Sequence, residues 1–154
     1  ARRYFQFRNE HGELIVQGAS DWVIMSFENR SLCNVESIVG GIDMFNLEQE
    51  HLDINTTKVP TVKAENAVVS ERTTMYSDLD MNNHLTSMRY LDWAMDCIDY
   101  NYLCDHSVKS VDINFQHEVP VNRTVELLHQ VDGDCHVING KLDDKSSFAV
   151  KIVF

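Results

Sequence analysis

A sustained helical period occurs in one stretch of this 154-residue chain, and segments whose apolar residues alternate instead lie on both sides of it. From Thr86 onward, Met88, Leu91, Met95 and Ile98 recur at three- and four-residue intervals, which sets them on one side of a helix, with Arg89, Asp92, Asp96 and Asp99 mostly on the other. The spacing predicts a single long helix ending near Tyr100 to Asp105. Ahead of it, Ala67 to Tyr76 is rich in Val and Thr and reads as a strand. Behind it come Val108 to Val119, Thr124 to Val131, Cys135 to Leu142 and Ser147 to Phe154, parted by turn signals at Pro120-Val121-Asn122, Asp132-Gly133 and Asp143-Asp144-Lys145. A helix with one apolar stripe and an antiparallel sheet with one apolar face must each leave water, and each covers the other. In the last strand Phe148, Val150, Ile152 and Phe154 oppose Ala149, Lys151 and Val153, an apolar face that a curved sheet can wrap around the helix. The class is α+β.

Upstream, Arg3 to Phe7 and Leu14 to Phe27 read as two strands joined by the turn Asn9-Glu10-His11-Gly12. From about Ser31 to Glu65 the periodicity is lost. Gly40, Gly41, Pro60 and acidic residues collect there, with a short helical turn expected near Phe45 to His51. The expected organisation is a hairpin region over 1–35, a linker over 36–65 and a domain over 66–154. The chain starts at Ala1, without an initiator Met and in what reads as mid-strand, so the natural N-terminus is expected to be missing.

Apolar residues make up 44% of the chain, enough for one core. No apolar run approaches the roughly 18 to 20 residues that span a bilayer, and no basic-then-apolar leader opens the chain, so the expectation is a protein without a membrane span, in a cytoplasmic setting. Cys33, Cys97, Cys104 and Cys135 are far apart, with no CxxC pair, which favours neither a disulfide framework nor a zinc site. Cys97 and Cys104 are read as buried thiols. A net charge of −11 argues against nucleic acid, because phosphate binding needs a clustered basic surface. The cations Arg2, Arg3, Arg8, Lys58, Lys63, Arg89 and Lys109 form either a local patch or a scattered solvated set.

The candidate chemistry lies where Asp80-x-Asn82-x-His84 runs into the helix. A helix start offers unpaired N–H groups and the positive end of the macrodipole, so a carboxylate, an amide and an imidazole there can orient a water beside an oxyanion site. Each residue has a plainer reading too: Asp80 as a cap or turn former, Asn82 as an N-cap, His84 as a solvated first-turn histidine. Glu118 shares parity with Asp112, Asn114 and Gln116, opposite to Val111, Ile113 and Phe115. Alternation therefore sets it on the polar side of its strand, and a catalytic role needs either that side to meet the helix start or a bulge at Pro120 to re-aim it. Asp78, two residues before Asp80, is read as an exposed acid or else as a like charge that tunes its neighbour, and Arg89 and His117 are secondary candidates.

The run from Tyr76 to Ile98, most specifically its ungapped stretch Asp80 to Trp93, resembles the acyl-acyl carrier protein thioesterase family, whose second domain carries a D-[LIV]-D-x-N-x-H-[VL] segment followed by a helix of the form x-Y-[LI]-x-W. Val111 to Asn122 is similar to the family strand that ends in a Glu-Cys pair, which sets Glu118 on the family's glutamate and Val119 on its cysteine. Arg2, Arg3, Tyr4, Gly12 and Ser20 to Met25 resemble the closing hairpin of the family's first domain. The resemblance implies a hot-dog fold, a curved antiparallel sheet around one long helix, with 1–35 as the closing strands of a first, mostly absent repeat. It implies hydrolysis of fatty acyl-acyl carrier protein with Asp80, Asn82, His84 and Glu118 as the catalytic set and no cofactor. It also implies a pairing with a second hot-dog unit, either the missing repeat or another copy of the chain. With Val119 at the cysteine position, covalent thiolate catalysis is disfavoured and direct attack by water remains. Tyr90, Trp93 and Trp22 match family aromatics and are assigned to packing. An acyl-CoA thioesterase or a non-catalytic acyl-binding module would present nearly the same residues.

Overall fold

The computed structural model describes residues 2–26, 28–29, 31–34 and 52–154. The helical turn expected near Phe45 to His51 lies outside the described residues. The chain divides into two compact units, Ala1–Thr56 and Thr57–Phe154.

In the first unit, β1 (Arg2–Arg8) and β2 (Leu14–Asp21) form an antiparallel hairpin. The Asn9 carboxamide oxygen closes its turn by accepting from the N–H groups of His11 and Glu13, and Gly12 takes a positive φ of 80°. Arg2 grips Asp21 through two hydrogen bonds across the strand ends, and Thr56 donates to the same carboxylate. A short pair follows, β3 (Ile24–Met25) with β4 (Leu32–Cys33). The second strand expected through Phe27 thus ends at Asp21 before a new one begins. Trp22 is 52% exposed with the Arg3 guanidinium over its ring, so it is not a core residue.

The second unit is a five-stranded antiparallel sheet in the order β5-β7-β8-β9-β6. Its strands are β5 (Val68–Thr73), β6 (Ser110–Phe115), β7 (Thr124–Asp132), β8 (Cys135–Leu142) and β9 (Lys145–Val153). The β8–β9 turn is a two-residue loop in which Asp143 and Asp144 both take positive φ, the conformation whose twist matches a hairpin. Val125 and Leu127 of β7, Ile138 of β8 and Phe148, Val150 and Ile152 of β9 are fully buried on one face, against Tyr90, Trp93, Ala94 and Ile98.

The helical element differs from expectation in two respects. It is two helices, α1 (Ser87–Met95) and α2 (Tyr100–Asp105). Hydrogen bonds tighten from Asp96 N–H to the Asp92 carbonyl into three-residue reaches at Cys97 and Ile98. Asp99 is then extended, and its carboxylate caps α2 by accepting from the N–H groups of Asn101 and Tyr102. The buried stripe of α1 is Tyr90, Trp93 and Ala94, flanked by Leu91 and Met95, whereas Met88 is 64% exposed. Met88 lies two residues from Tyr90, about 200° around the helix, and the bulky aromatics set which side turns inward.

On the other sheet face the segment 57–62 is fastened to β6 and β8. Asn114, Ala149 and Asn139 form one row across β6, β9 and β8. The Asn114 carboxamide accepts the Val59 N–H and donates to the Thr57 carbonyl; that of Asn139 accepts the Val62 N–H and donates to the Pro60 carbonyl. Val59 and Val62 are buried by this strap. The end of the expected 36–65 linker therefore belongs to the second unit.

Near α2 the core holds two buried histidines joined by a 3.0 Å hydrogen bond, His129 Nε2 to His136 Nδ1. His136 also packs on Tyr102 and Phe154, and its Nε2 has no partner. Burial lowers the pKa of both; the His136 charge adds to this at His129 against the opposing Cys97 carbonyl, and at His136 the nearby Asp134 opposes while His106 adds. The unfolded chain therefore binds these protons first, so stability is fully present above the ordinary histidine pKa of about 6.5 and is lost as pH falls below it. Urea melts at stepped pH are expected to show a decline of up to about 1.4 kcal/mol per pH unit for each imidazole, flattened in a His129→Gln/His136→Gln double variant.

Candidate active site

Between β5 and α1 the chain makes one 3-10 turn, Tyr76–Asp78, and then a tight loop. The loop is built by Asp80. Its Oδ1 accepts from the N–H of Asn82 at 2.8 Å and of His84 at 3.1 Å, its own N–H donates to the His84 carbonyl, and its carbonyl accepts from Asn83, which takes a positive φ of 61°. An Asp with Asn-Asn two and three residues further on suits this geometry, since Asx side chains bond the backbone ahead of them and Asn tolerates the left-handed region. The Asp80 carboxyl is held below its usual range, chiefly by the His84 N–H, against an opposing desolvation penalty, with the Asn82 backbone, the His84 ring and the Asn82 side chain adding to the lowering.

The loop is stitched to the segment after β6. Leu85 N–H donates to the Val119 carbonyl at 2.8 Å, and His84 pairs with Pro120 as an isolated antiparallel bridge. This registry brings His84 Nε2 to 3.7 Å from Glu118 Oε2, with the imidazole 28% and the carboxylate 53% exposed. The expected strand Val108–Val119 ends its ladder at Phe115, and the N–H groups of Gln116 and His117 both reach the single carbonyl of Ser147. The ladder thus ends before Glu118 is reached, yet the parity of the strand carries on: Glu118 is exposed and the next residue, Val119, is buried in the same core as Ile113.

Asp80, Asn82, His84 and Glu118 are accordingly gathered by two adjoining segments, with Asn82 exposed at the loop tip. The loop precedes the helix rather than starting it: Thr86 is the N-cap and contributes no side-chain bond. The amides nearest the cluster are already engaged, those of Asn82 and His84 by Asp80, of Leu85 by Val119 and of Thr86 by the Asp78 carbonyl. An open depression of about 480 Å³, lined by Tyr76, Ser77, Leu79, Asp80, Met81 and Asn83, adjoins the Asp80 side of the loop but reaches neither His84 nor Glu118.

Two residues carry more than the sequence suggested. Asp78 is 15% exposed and faces Arg89, so it is a paired acid rather than a solvated one. Tyr90, assigned to packing, does pack edge-on against Phe148 and Phe115 and is buried, but its hydroxyl lies in the field of the site's acids. Burial raises its pKa, partly opposed by the Val119 backbone, and the charges of Glu118 and Asp80 raise it further, leaving a neutral hydroxyl beside the carboxylates. Val119 is fully buried. Of the two thiols nearest in sequence, Cys97 is half-buried, with burial pushing its pKa up, and Cys104 is exposed rather than buried. Among the described residues there is no cluster of His, Cys, Asp and Glu that could hold a metal, and no helix long and apolar enough to cross a membrane. Several of the cations considered above are engaged within the molecule: Arg2 with Asp21, Arg89 with Asp78 and Asp92, and Lys109 with the Phe154 carbonyl.

Residues 62–152 match the model of the acyl-ACP thioesterase C-terminal domain. The chain is 25% identical over 122 residues to a chloroplastic palmitoyl-acyl carrier protein thioesterase of Gossypium hirsutum, an alignment covering 76% of this chain and 29% of that protein. It spans about a third of the length of the curated relatives it matches. Among solved structures it is similar to the 12:0-ACP thioesterase from Umbellularia californica, with TM-score 0.86 and 19% identity over 99% of this chain and 61% of that one. It is also similar to an acyl-ACP thioesterase from Bacteroides thetaiotaomicron, with TM-score 0.77 and 19% identity over 99% and 62% of the two chains. These likenesses make the fold a hot-dog, with its central helical element in two pieces.

Proposed function

We propose, because this chain belongs to the family of acyl-ACP thioesterase C-terminal domains, that it supplies the catalytic half of an enzyme that hydrolyses fatty acyl-acyl carrier protein. The observation that carries the reading is the 3.7 Å approach of His84 Nε2 to Glu118 Oε2 across two segments far apart in sequence. In this reading Glu118 takes a proton from a water held between it and His84 as the water oxygen attacks the thioester carbonyl. The tetrahedral intermediate collapses, the carbon–sulfur bond breaks, and the departing thiolate takes up a proton to leave free fatty acid and carrier thiol. Asp80 acts as the loop's anchor: a carboxyl held in its ionised form by two backbone donors is a weak base and a good scaffold. With the loop amides engaged, stabilising the developing oxyanion falls to the Asn82 carboxamide and the first-turn N–H groups of α1, a contribution of about 3 kcal/mol for one well-aimed donor. The partner in this reading is an acyl carrier protein, with a second hot-dog unit completing the acyl pocket.

The test is a hydrolysis assay on acyl-carrier and acyl-CoA thioesters of matched chain length. Turnover of the carrier thioester supports the reading, and turnover of the CoA thioester alone replaces it with an acyl-CoA thioesterase. Both Asp80 bonds fall on Oδ1, which an asparagine oxygen could still accept. Asp80→Asn is therefore expected to slow turnover by about tenfold, and Asp80→Ala, which removes both bonds, by about a hundredfold. Equal rates in the two variants would contradict the anchoring role.

A further inference from the structure

We propose that Arg89, acting through Asp78, is a positioning residue that clasps the two ends of the loop carrying Asp80, Asn82 and His84 and so holds His84 against Glu118. The inference rests on the reading above and adds to it the device that fixes the loop.

The loop leaves at Asp78 and returns at Thr86. The Thr86 N–H donates to the Asp78 carbonyl at 2.9 Å, and Leu79 pairs with Leu85 one step inside. A backbone neck of this kind is narrow, and what keeps it closed is the side chains behind it. The Asp78 carboxylate faces two ways. Its Oδ2 accepts the Met75 N–H at 2.8 Å and its Oδ1 lies 3.4 Å from Arg89 Nε. Arg89, on the first turn of α1, also reaches the Ser77 carbonyl through Nη2 at 3.4 Å and Asp92 through Nη1 at 3.0 Å. One planar guanidinium thus ties the residue where the loop begins to the helix where it ends.

The plainer alternative is an i,i+3 surface pair between Arg89 and Asp92, with both side chains about half exposed and a value of a few tenths of a kcal/mol. Asp78 distinguishes the two. At 15% exposure it is far less solvated than Asp92, it bonds the backbone upstream, and its own carbonyl closes the neck. Neither residue touches the reacting atoms, so the effect on turnover passes through the loop, where a displacement of about 1 Å can cost a hundredfold.

The experiment compares the 154-residue chain with Arg89→Met and Arg89→Lys by amide hydrogen exchange and by steady-state hydrolysis. In Arg89→Met, exchange at Asn82, His84 and Thr86 is expected to quicken roughly tenfold or more while the β7–β9 amides keep their protection, the signature of a local opening. The turnover number falls roughly tenfold with KM little changed. Arg89→Lys, whose ammonium meets fewer of the oxygens at once, restores part of both. Unchanged exchange at the three loop amides overturns the clasp, and quickened exchange with an unchanged turnover number overturns its positioning role. A wild-type chain that hydrolyses no thioester removes the reading above instead, while the exchange measurements still decide whether Arg89 closes the loop.

Discussion

Glu118→Gln is expected to lower the turnover number by about two to four orders of magnitude while leaving the melting temperature within a few degrees of wild type. The side chain is about half exposed and its contact with His84 is 3.7 Å, so it contributes little to folding that glutamine could not match in volume. What glutamine cannot do is accept a proton from water. The same substitution leaves the segment's anchors in place, since Leu85 still donates to the Val119 carbonyl and the Val119 side chain stays buried. Measuring the turnover number and the urea midpoint on one preparation checks both halves. A fall in activity matched by a fall in midpoint would assign Glu118 to structure, and an unchanged rate would remove the general base.

Phe148→Ala is expected to cost about 3 to 5 kcal/mol in stability, read as a lowered urea midpoint at constant slope. The ring is fully buried in β9, meets Tyr90 edge-on at 4.9 Å, and lies over its cross-strand partner Gly140. A Cβ at Gly140 would come within 2.0 Å of the ring, so the glycine is there to let the aromatic occupy the space of two side chains. Removing the ring leaves a cavity that neither Gly140 nor the sheet backbone can fill. A loss of that size is a large share of the 5 to 15 kcal/mol that holds a typical domain together. Because Tyr90 would lose one of its two aromatic neighbours, activity should fall before the unit unfolds.

The sheet and the loop were legible in the sequence because both rest on local rules. The bulky apolar residues at every second position from Phe148 to Phe154, and turns at Asp132-Gly133 and Asp143-Asp144, need no distant partner to be read. The same holds for Asp80-x-Asn82-x-His84, whose geometry is an Asx turn made within five residues. What escaped was set by contacts between distant residues. The inward side of α1 is decided by Tyr90, Trp93 and Ala94 meeting the sheet, so a stripe drawn from Met88, Leu91 and Met95 was rotated. The division of the helix at Asp99 turns on one carboxylate choosing the amides ahead of it over solvent. For Glu118, parity gave the exposed side on which the carboxylate lies, but not the pairing of His84 and Leu85 with Val119 and Pro120 that brings the imidazole to 3.7 Å from it. Nothing in the single sequence marks that pairing. Asp78 could have been found, since an acid two residues before Asp80 and an arginine three residues past the helix cap are a legible pair, but its low exposure could not.

The strap over the outer sheet face has an evolutionary corollary. Asn114 and Asn139 recognise peptide groups, through N–H at Val59 and Val62 and carbonyls at Thr57 and Pro60, so any residue offering those groups in an extended backbone would be gripped equally well. Only Val59 and Val62 are held by what their side chains are. Lys58 and Thr61 are therefore free to drift in identity without loosening the attachment, whereas a change of either asparagine to aspartate would remove a donor and set a carboxylate facing a carbonyl oxygen. Lineages should show variable letters along this ribbon above an unchanging pair of carboxamides.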